Sequence, residues 1–379
     1  MKYFFIAGEA SGDLHAAGLM SELQKIDPRA EFCFLGGDNM KAVGGKMVKH
    51  IREMAFMGFW VVLINIFKVL KNFRDSKKAI KEFRPDLVIL VDYPSFNLRM
   101  AKYIRKKINV PVYFYISPTV WAWKAHRIKQ IKRDVTHMLT IIPFETEFYA
   151  KYGYKVHYVG NPTVDTICQY LDNTEDREYF KKKYFLSSKP IIALLPGSRM
   201  QEIAACLPKM VAAAKQFPDH QIVISGASGI DFAYYYEFLD GEFLPVTEYQ
   251  TYQLLYHADV AIVNSGTATL ETALIGTPQV VVYHVMLGRL GYLAKEIFIK
   301  LKHISLVNIL SGKKVVQELI AHFFTVDNLV KEVDRLLHDE KYRNEMKTAY
   351  QELRQKLGEP GTSKRAAEYI FNQQRLIKK

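Results

Sequence analysis

Two stretches of this chain carry polar side chains at a spacing that chemistry can use. Residues 194 to 202 read Leu-Leu-Pro-Gly-Ser-Arg-Met-Gln-Glu, and residues 264 to 271 read Asn-Ser-Gly-Thr-Ala-Thr-Leu-Glu. Each follows an apolar run of strand character, Ile191 to Leu195 and Val260 to Val263, and each places small residues where a helix should begin. That geometry turns backbone N–H groups and the positive end of a helix dipole toward an anion. Arg199 can pair with a diphosphate, and the Glu271 carboxylate can accept hydrogen bonds from two ribose hydroxyls. With Ser265, Gly266 and Thr267 forming the second turn, the pair reads as a site for a nucleotide diphosphate.

Other residues offer chemistry with a plainer alternative beside it. Asp92 ends the apolar run Leu87 to Val91 and so stands at the mouth of a strand, where it reads equally as a general base or as the N-cap of the next helix. The loop Gly8-Glu9-Ala10-Ser11-Gly12-Asp13 follows the first strand, where open α/β sheets place ligand contacts. It lacks the Gly-x-Gly-x-x-Gly dinucleotide fingerprint and reads as a tight turn or a substrate loop. Ser117-Pro118-Thr119-Val120-Trp121-Ala122-Trp123 runs into Lys124, His126, Arg127, Lys129, Lys132 and Arg133. Rings followed by bases can hold a phosphorylated sugar or a lipid headgroup, can line a single-stranded nucleic acid, or can be a solvated helix with packed tryptophans. Asn308, polar within an apolar run, either caps a turn or joins Lys313 and Lys314 at a phosphate. The histidines show no metal-ligand spacing and no Asp-x-Asp occurs, so no metal or cofactor is expected. A departing diphosphate would then depend on arginine, amides and helix dipoles.

These residues need strands and helices to place them. Short apolar runs alternate with amphipathic stretches throughout, the pattern of βα units on parallel sheets. A first series runs Tyr3 to Ala7, Glu31 to Leu35, Leu87 to Val91, Val112 to Tyr115, Met138 to Ile141 and Val156 to Val159. A second runs Ile191 to Leu195, Gln221 to Ser225, Val260 to Val263 and Gln279 to Tyr283. At 379 residues the chain suits two domains with a cleft between them. Their expected extents are 1–170 and 185–345, with C-terminal helices over 346–379 that pack back on the first domain or swap to a partner subunit. The net charge of +13 favours an anionic partner, and no nucleic-acid motif accompanies it. Three scattered cysteines, Cys33, Cys168 and Cys206, read as reduced thiols of a cytosolic protein. The apolar start is too short for a signal peptide and reads as a buried strand.

One segment departs from the plan. Met54 to Phe67 is almost wholly apolar, with Phe56, Phe59, Trp60 and Phe67, and is followed by Lys68, Lys71, Arg74, Lys77 and Lys78. It is too short to span a bilayer. An apolar patch beside a basic collar suits a membrane interface or an acyl-chain site, and a buried helix with a solvated end is the alternative.

Taken together, the Gly8 to Asp13 loop, Ser117 to Trp123, Leu195 to Arg199 with Glu202, Ser265 to Ala268 with Glu271, and the Asn308 segment resemble the lipid-A-disaccharide synthases over essentially the whole chain. These are inverting glycosyltransferases of GT-B architecture from Gram-negative bacteria. The resemblance implies two Rossmann-like doubly wound domains facing a cleft. It implies UDP-2,3-diacylglucosamine as donor, 2,3-diacylglucosamine 1-phosphate as acceptor, and a β-1,6-linked disaccharide and UDP as products. It assigns Asp92 as the base that takes the proton of the acceptor's 6-hydroxyl. Arg199, Glu202 and Asn308 fall on the nucleotide side, as do Ser265, Gly266, Thr267 and Glu271; Ser11, Gly12 and Trp121 fall toward the acceptor. Where family members often carry a second aspartate three residues after the base, this chain has Ser95, which favours Asp92 as the essential carboxylate. Acylated substrates tip Met54 to Phe67 toward contact with an anionic membrane surface, at the cytoplasmic face of the inner membrane. The family's C-terminal segment exchanges between subunits, which implies a swapped homodimer. Two rival readings are another UDP-sugar enzyme, an epimerase or a peptidoglycan-type transferase, and a non-catalytic basic nucleotide or nucleic-acid binder.

Overall fold

The computed structural model describes residues 1–54, 66–123, 127–248, 250–285 and 302–377. The chain divides into two compact units, Met1–Pro162 with Pro360–Lys379, and Thr163–Glu359. Among the described residues the first unit holds a seven-stranded sheet in the order β3-β2-β1-β4-β5-β6-β7. Its strands are β1 (Lys2–Ala7), β2 (Glu31–Gly36), β3 (Lys46–His50), β4 (Leu87–Val91), β5 (Val112–Tyr115), β6 (His137–Thr140) and β7 (His157–Tyr158). All of its pairings are parallel. A parallel sheet is covered on both faces, which is why β1, β4 and β5 are apolar at successive rather than alternate positions. Tyr3, Phe5, Leu87, Ile89 and Tyr113 pack on one side, and Phe4, Ile6, Val88, Leu90 and Phe114 on the other.

The first of these cores is closed by two helices far apart in sequence. Helix Ala10–Ile26 packs along helix Thr362–Ile377, whose Ala366, Ala367 and Ile370 are buried among Ala16, Leu19, Met20 and Leu23. Gly18 faces Ser363 across this contact, where a Cβ would lie 2.8 Å from the Ser363 Oγ. Gln374 Nε2 donates to the Tyr113 hydroxyl at 2.8 Å, and the Tyr369 ring stacks on His157 at 4.2 Å. The division at the C-terminus therefore falls at Pro360 and not at 346. Helix Glu340–Leu357 buries Met346, Tyr350 and Leu353 in the second unit, where the Tyr350 hydroxyl accepts from Gln279. The N-terminal division likewise falls at Pro162, so that helices Pro162–Leu171 and Arg177–Lys183 precede the second sheet.

The second unit's described strands are β8 (Ile191–Leu195), β9 (Gln221–Gly226), β10 (Val246–Glu248), β11 (Val260–Asn264), β12 (Gln279–Tyr283) and β13 (Glu318–Ile320). They run in the order β10-β9-β8-β11-β12-β13, again all parallel. The strands without a counterpart in the sequence reading are β3, β10 and β13. They lie at sheet edges, and β10 and β13 are only three residues long, so they lack the doubly buried apolar run that marks the central strands.

Removing the Ile370 side chain should leave a cavity between the two packed helices. Ile370→Ala is expected to destabilise the first unit by about 2–5 kcal/mol, read from amide hydrogen exchange in helix Ala10–Ile26.

Candidate functional site

In the first unit, strand order reverses between β1 and β4, and polar residues collect at the carboxyl ends of β1, β4 and β5. Such a reversal opens a crevice at which open α/β sheets bind ligands. After β1 the chain turns through Gly8, where a Cβ would lie 2.3 Å from the Tyr93 ring, so only glycine fits. Glu9 precedes helix Ala10–Ile26 in extended conformation without a side-chain cap, and Ser11 is exposed in its first turn. Gly12 is buried, its Cα facing Ala7 and the Val91 carbonyl. Asp13 is buried and turned away from this edge: it accepts from the N–H groups of Gly37, Asn39 and Met40 and from Asn39 Nδ2, at 2.6–3.2 Å. It fixes the turn after β2.

Asp92 follows β4 with φ 44°, and Tyr93 has φ 48°. Two successive non-glycine residues in the left-handed region need a framework that holds them there. The Asp92 N–H donates to the Tyr115 carbonyl at 3.0 Å. Asn97 Nδ2 lies within hydrogen-bond distance of the Asp92, Val91 and Ile6 carbonyls, at 2.7, 3.2 and 3.3 Å. The Tyr93 hydroxyl donates to the Met54 carbonyl at 3.0 Å. Helix Pro94–Tyr103 begins at Tyr93 without a side-chain cap, so the Asp92 carboxylate is not spent on capping. Burial raises its pKa above the ordinary carboxylate range, while a hydrogen bond from the Tyr93 N–H opposes this. A half-buried carboxylate without a cationic neighbour is a stronger base than one paired with arginine.

After β5, Trp121 donates from Nε1 to Glu145 Oε1 at 3.0 Å and meets the Phe144 ring edge-on at 5.0 Å. Phe56, Phe59 and Trp60 lie outside the described residues. Phe67, at the start of helix Ile66–Phe83, is 83% exposed, as Leu70 is to 56%.

In the second unit, the turns after β8 and β11 line a cavity of about 540 Å³ together with Tyr170, Ser225 and Tyr252. Gly197 has φ 127°, and a Cβ there would lie 2.5 Å from Glu202 Oε2 and 2.9 Å from Asn264 Nδ2. Glu202 folds back on its own turn: its oxygens accept from the Ser198 N–H at 3.0 Å and from Arg199 Nη1 at 2.9 Å. Arg199 reaches over the cavity from helix Met200–Ala214, mostly exposed. Gly266 precedes helix Thr267–Ile275, whose first residues line the cavity, while the Ser265 hydroxyl donates to the Ile304 carbonyl at 3.2 Å. Glu271 accepts from the Tyr252 hydroxyl at 3.0 Å, and burial raises its pKa. The structure thus brings Arg199, Glu202, Ser265, Gly266, Thr267 and Glu271 to one cavity.

Asn308 stands apart from that cavity. It is fully buried, donating from Nδ2 to the Val316 carbonyl and Glu318 Oε1 and accepting at Oδ1 from the Val315 and Val316 N–H groups. With its amide saturated by the chain, it braces Glu318. That carboxylate also accepts from the Ile304 and Ser305 N–H groups and the Ser305 hydroxyl, and so holds the segment to which Ser265 is tied. Sequence reasoning missed Tyr170, Tyr252, Glu318 and Glu145. No local motif marks them. Among the described residues, no group of three or more His, Cys, Asp or Glu is placed to hold a metal ion.

A family model described as lipid-A-disaccharide synthetase matches residues 3–372. The lipid-A-disaccharide synthase of Myxococcus xanthus is 39% identical over 97% of this chain and 96% of its own length. That of Trichlorobacter lovleyi is 36% identical over 98% and 97%. Among solved structures, the UDP-GlcNAc 2-epimerase of Neisseria meningitidis superposes with a TM-score of 0.63 at 14% identity, covering 100% of both chains. The glycosyltransferase SnogD of Streptomyces nogalater gives 0.57 at 16%, covering 99% of each. At such identities the likeness is one of fold, and the fold is GT-B.

Gly197→Ala should force Glu202 from the turn and weaken nucleoside diphosphate binding by about tenfold or more, measured calorimetrically with UDP. Tyr252→Phe should weaken it by about fivefold, the worth of one hydrogen bond. Because the Glu271 pKa is raised, acidification should protonate it earlier than an ordinary glutamate and lower UDP affinity, a dependence absent from Glu271→Gln.

Proposed function

The chain belongs to the lipid-A-disaccharide synthetase family and is a glycosyltransferase of lipid A biosynthesis, and on that premise we propose how its residues divide the reaction. The donor is UDP-2,3-diacylglucosamine and the acceptor 2,3-diacylglucosamine 1-phosphate. The observation that carries the assignment of the base is Asp92, which is held on a left-handed kink by its main chain and whose carboxylate has no cation paired with it among the described residues.

Asp92 takes the proton of the acceptor's 6-hydroxyl as that oxygen attacks the anomeric carbon of the donor. The new C–O bond forms as the bond from the anomeric carbon to the diphosphate breaks, and the electron pair leaves with UDP. A single displacement inverts the anomeric centre. Arg199 and the amides opening helix Thr267–Ile275 stabilise the charge that gathers on the diphosphate, and Glu271, oriented by Tyr252, accepts from the ribose hydroxyls. Ser11, Gly12 and Trp121 border the acceptor. Glu202 acts by aligning Arg199, and Asn308 by bracing Glu318.

Substrates with two acyl chains reach a soluble site only from a membrane surface. Exposed Phe67 and Leu70 stand on helix Ile66–Phe83 with Lys68, Lys71, Arg74 and Lys78 exposed around them, the combination that seats a helix at an anionic interface. No described helix is long and apolar enough to cross a bilayer. The protein works at the cytoplasmic face of the inner membrane, and helix Thr362–Ile377 is the element that two copies exchange when they form a homodimer, since the same contacts then form between chains.

Asp92→Asn should abolish disaccharide and UDP release while leaving UDP affinity within about twofold of wild type. The active form of the base is the carboxylate, so wild-type kcat/KM should rise with pH through the raised Asp92 pKa. Burial disfavours that same carboxylate in the folded state, and the stability it costs appears as pH rises above the unfolded pKa. The Asn variant should therefore melt no lower than wild type at neutral pH. Wild-type turnover in Asp92→Asn would remove it as the base. Phe67→Ser with Leu70→Ser should lower binding to vesicles containing phosphatidylglycerol, measured by sedimentation.

A further inference from the structure

The cavity of the second unit has an end to which the proposed chemistry gives no role. The residues assigned to the diphosphate lie on the turns after β8 and β11, and Glu271 stands one turn along helix Thr267–Ile275. Glu271 accepts from the Tyr252 hydroxyl at 3.0 Å, and the Tyr252 ring meets the Tyr170 ring edge-on, with centroids 5.2 Å apart and planes at 73°. Among the residues lining the cavity, only these two are aromatic. A nucleotide's base leaves the ribose across the ring from the diphosphate. With the phosphates at the two turns and the ribose at Glu271, the base extends toward the remaining wall, which Tyr170, Thr251 and the end of β9 supply.

At that wall the polar groups are engaged with one another. The Ser225 and Thr251 hydroxyls pair at 2.7 Å, and the Ala227 N–H donates to the Tyr235 hydroxyl at 2.7 Å. Tyr170 stands near the end of helix Pro162–Leu171, half-buried, and its hydroxyl is buried without a hydrogen-bond partner among the described residues. What the side chain offers the cavity is therefore its ring. The chain just beyond it is tied to helix Thr251–His257, which carries Tyr252: the Glu175 N–H donates to Gln253 Oε1 at 3.2 Å, and the Glu175 carbonyl meets His257 Nε2 at 3.1 Å. Two residues before Tyr170, Cys168 Sγ lies 3.0 Å from Arg354 Nη2. The two rings are thus held in place before any ligand arrives, and a prearranged wall loses little entropy on binding. Stacking on such a ring needs only the π-face that every base has.

We propose that Tyr170 is the platform on which the donor's nucleobase stacks, so that this end of the cavity grips the nucleotide by its π-face. This rests on reading the cavity as the donor's nucleotide site.

The test titrates the full chain calorimetrically with UDP, and with inorganic pyrophosphate as a probe that has no base. Tyr170→Leu, apolar but without a π-face, should weaken UDP binding about tenfold and leave pyrophosphate affinity within about twofold of wild type. Tyr170→Phe, which keeps the ring, should bind UDP as wild type does. In turnover, Tyr170→Leu should raise donor KM about tenfold at nearly constant kcat, because the stack is made equally in ground and transition states. Photolysis of bound 5-iodo-UDP should crosslink it to Tyr170, located by peptide mass spectrometry. Unchanged UDP affinity in Tyr170→Leu would overturn the proposal. So would an equal loss for pyrophosphate, which reports a disturbed cavity, or crosslinking confined to other residues. If Gly197→Ala and Tyr252→Phe also leave UDP affinity unchanged, the nucleotide reading of the cavity fails with it. If they weaken UDP while Tyr170→Leu does not, the platform alone is lost.

Discussion

The first unit is organised around the main chain at Asp92 and Tyr93. Two consecutive non-glycine residues in the left-handed region cost on the order of 1–3 kcal/mol each, and the kink exists only because its surroundings leave no alternative. Asn97 lies across three carbonyls at the ends of β1 and β4, Tyr115 on β5 takes the Asp92 N–H, and the Tyr93 ring fills the space that Gly8 leaves open. Three adjacent strands are thus tied at their carboxyl ends by one kink. Its product is a largely buried carboxylate with its backbone fixed, which accepts from the Tyr93 N–H and does not cap the following helix.

The second unit solves a different problem, the alignment of charge. Arg199 and Glu202 form a pair that is largely exposed on the arginine side, and such pairs contribute little to stability. Its value is geometric: Glu202 also holds the Ser198 N–H, so one carboxylate sets both the turn and the direction of the guanidinium. Glu271 is governed in the same way by Tyr252, and Ser265 by the Glu318 network beneath it. In each case a residue facing the cavity is held by a polar neighbour: Glu202 and Tyr252 line the same cavity, and the Glu318 network lies outside it. Buried polar groups of this kind are costly unless satisfied, so satisfying them selects one arrangement of the turn.

The legibility of the chain follows from these physical differences. Central strands were readable because burial on both faces demands unbroken apolar runs, and the turns after β8 and β11 were readable because glycine and small residues at a helix start have few other uses. Edge strands β3, β10 and β13 were not, since an edge asks less of its residues. Asn308 was readable as unusual, yet its polarity serves Val315, Val316 and Glu318 and not the cavity lined by the turns after β8 and β11. Glu145 and Tyr252 were silent, because nothing local distinguishes a buried glutamate or a bracing tyrosine from their many exposed counterparts.

By itself the sequence determined the two-sheet α/β plan, the small-residue turns after β8 and β11 and the family, and it singled out Asp92 as the carboxylate at a strand's end. These are local in origin: periodicity, helix-start chemistry and the residue at a strand's end. Tertiary structure alone decided whether Asp92 caps the helix that follows it, whether Asn308 faces a cavity or braces a turn, and to which unit each C-terminal helix belongs. Such choices depend on partners remote in sequence, Tyr115 for Asp92, Glu318 for Asn308 and helix Ala10–Ile26 for the last helix, and only folding brings them within hydrogen-bond or packing distance.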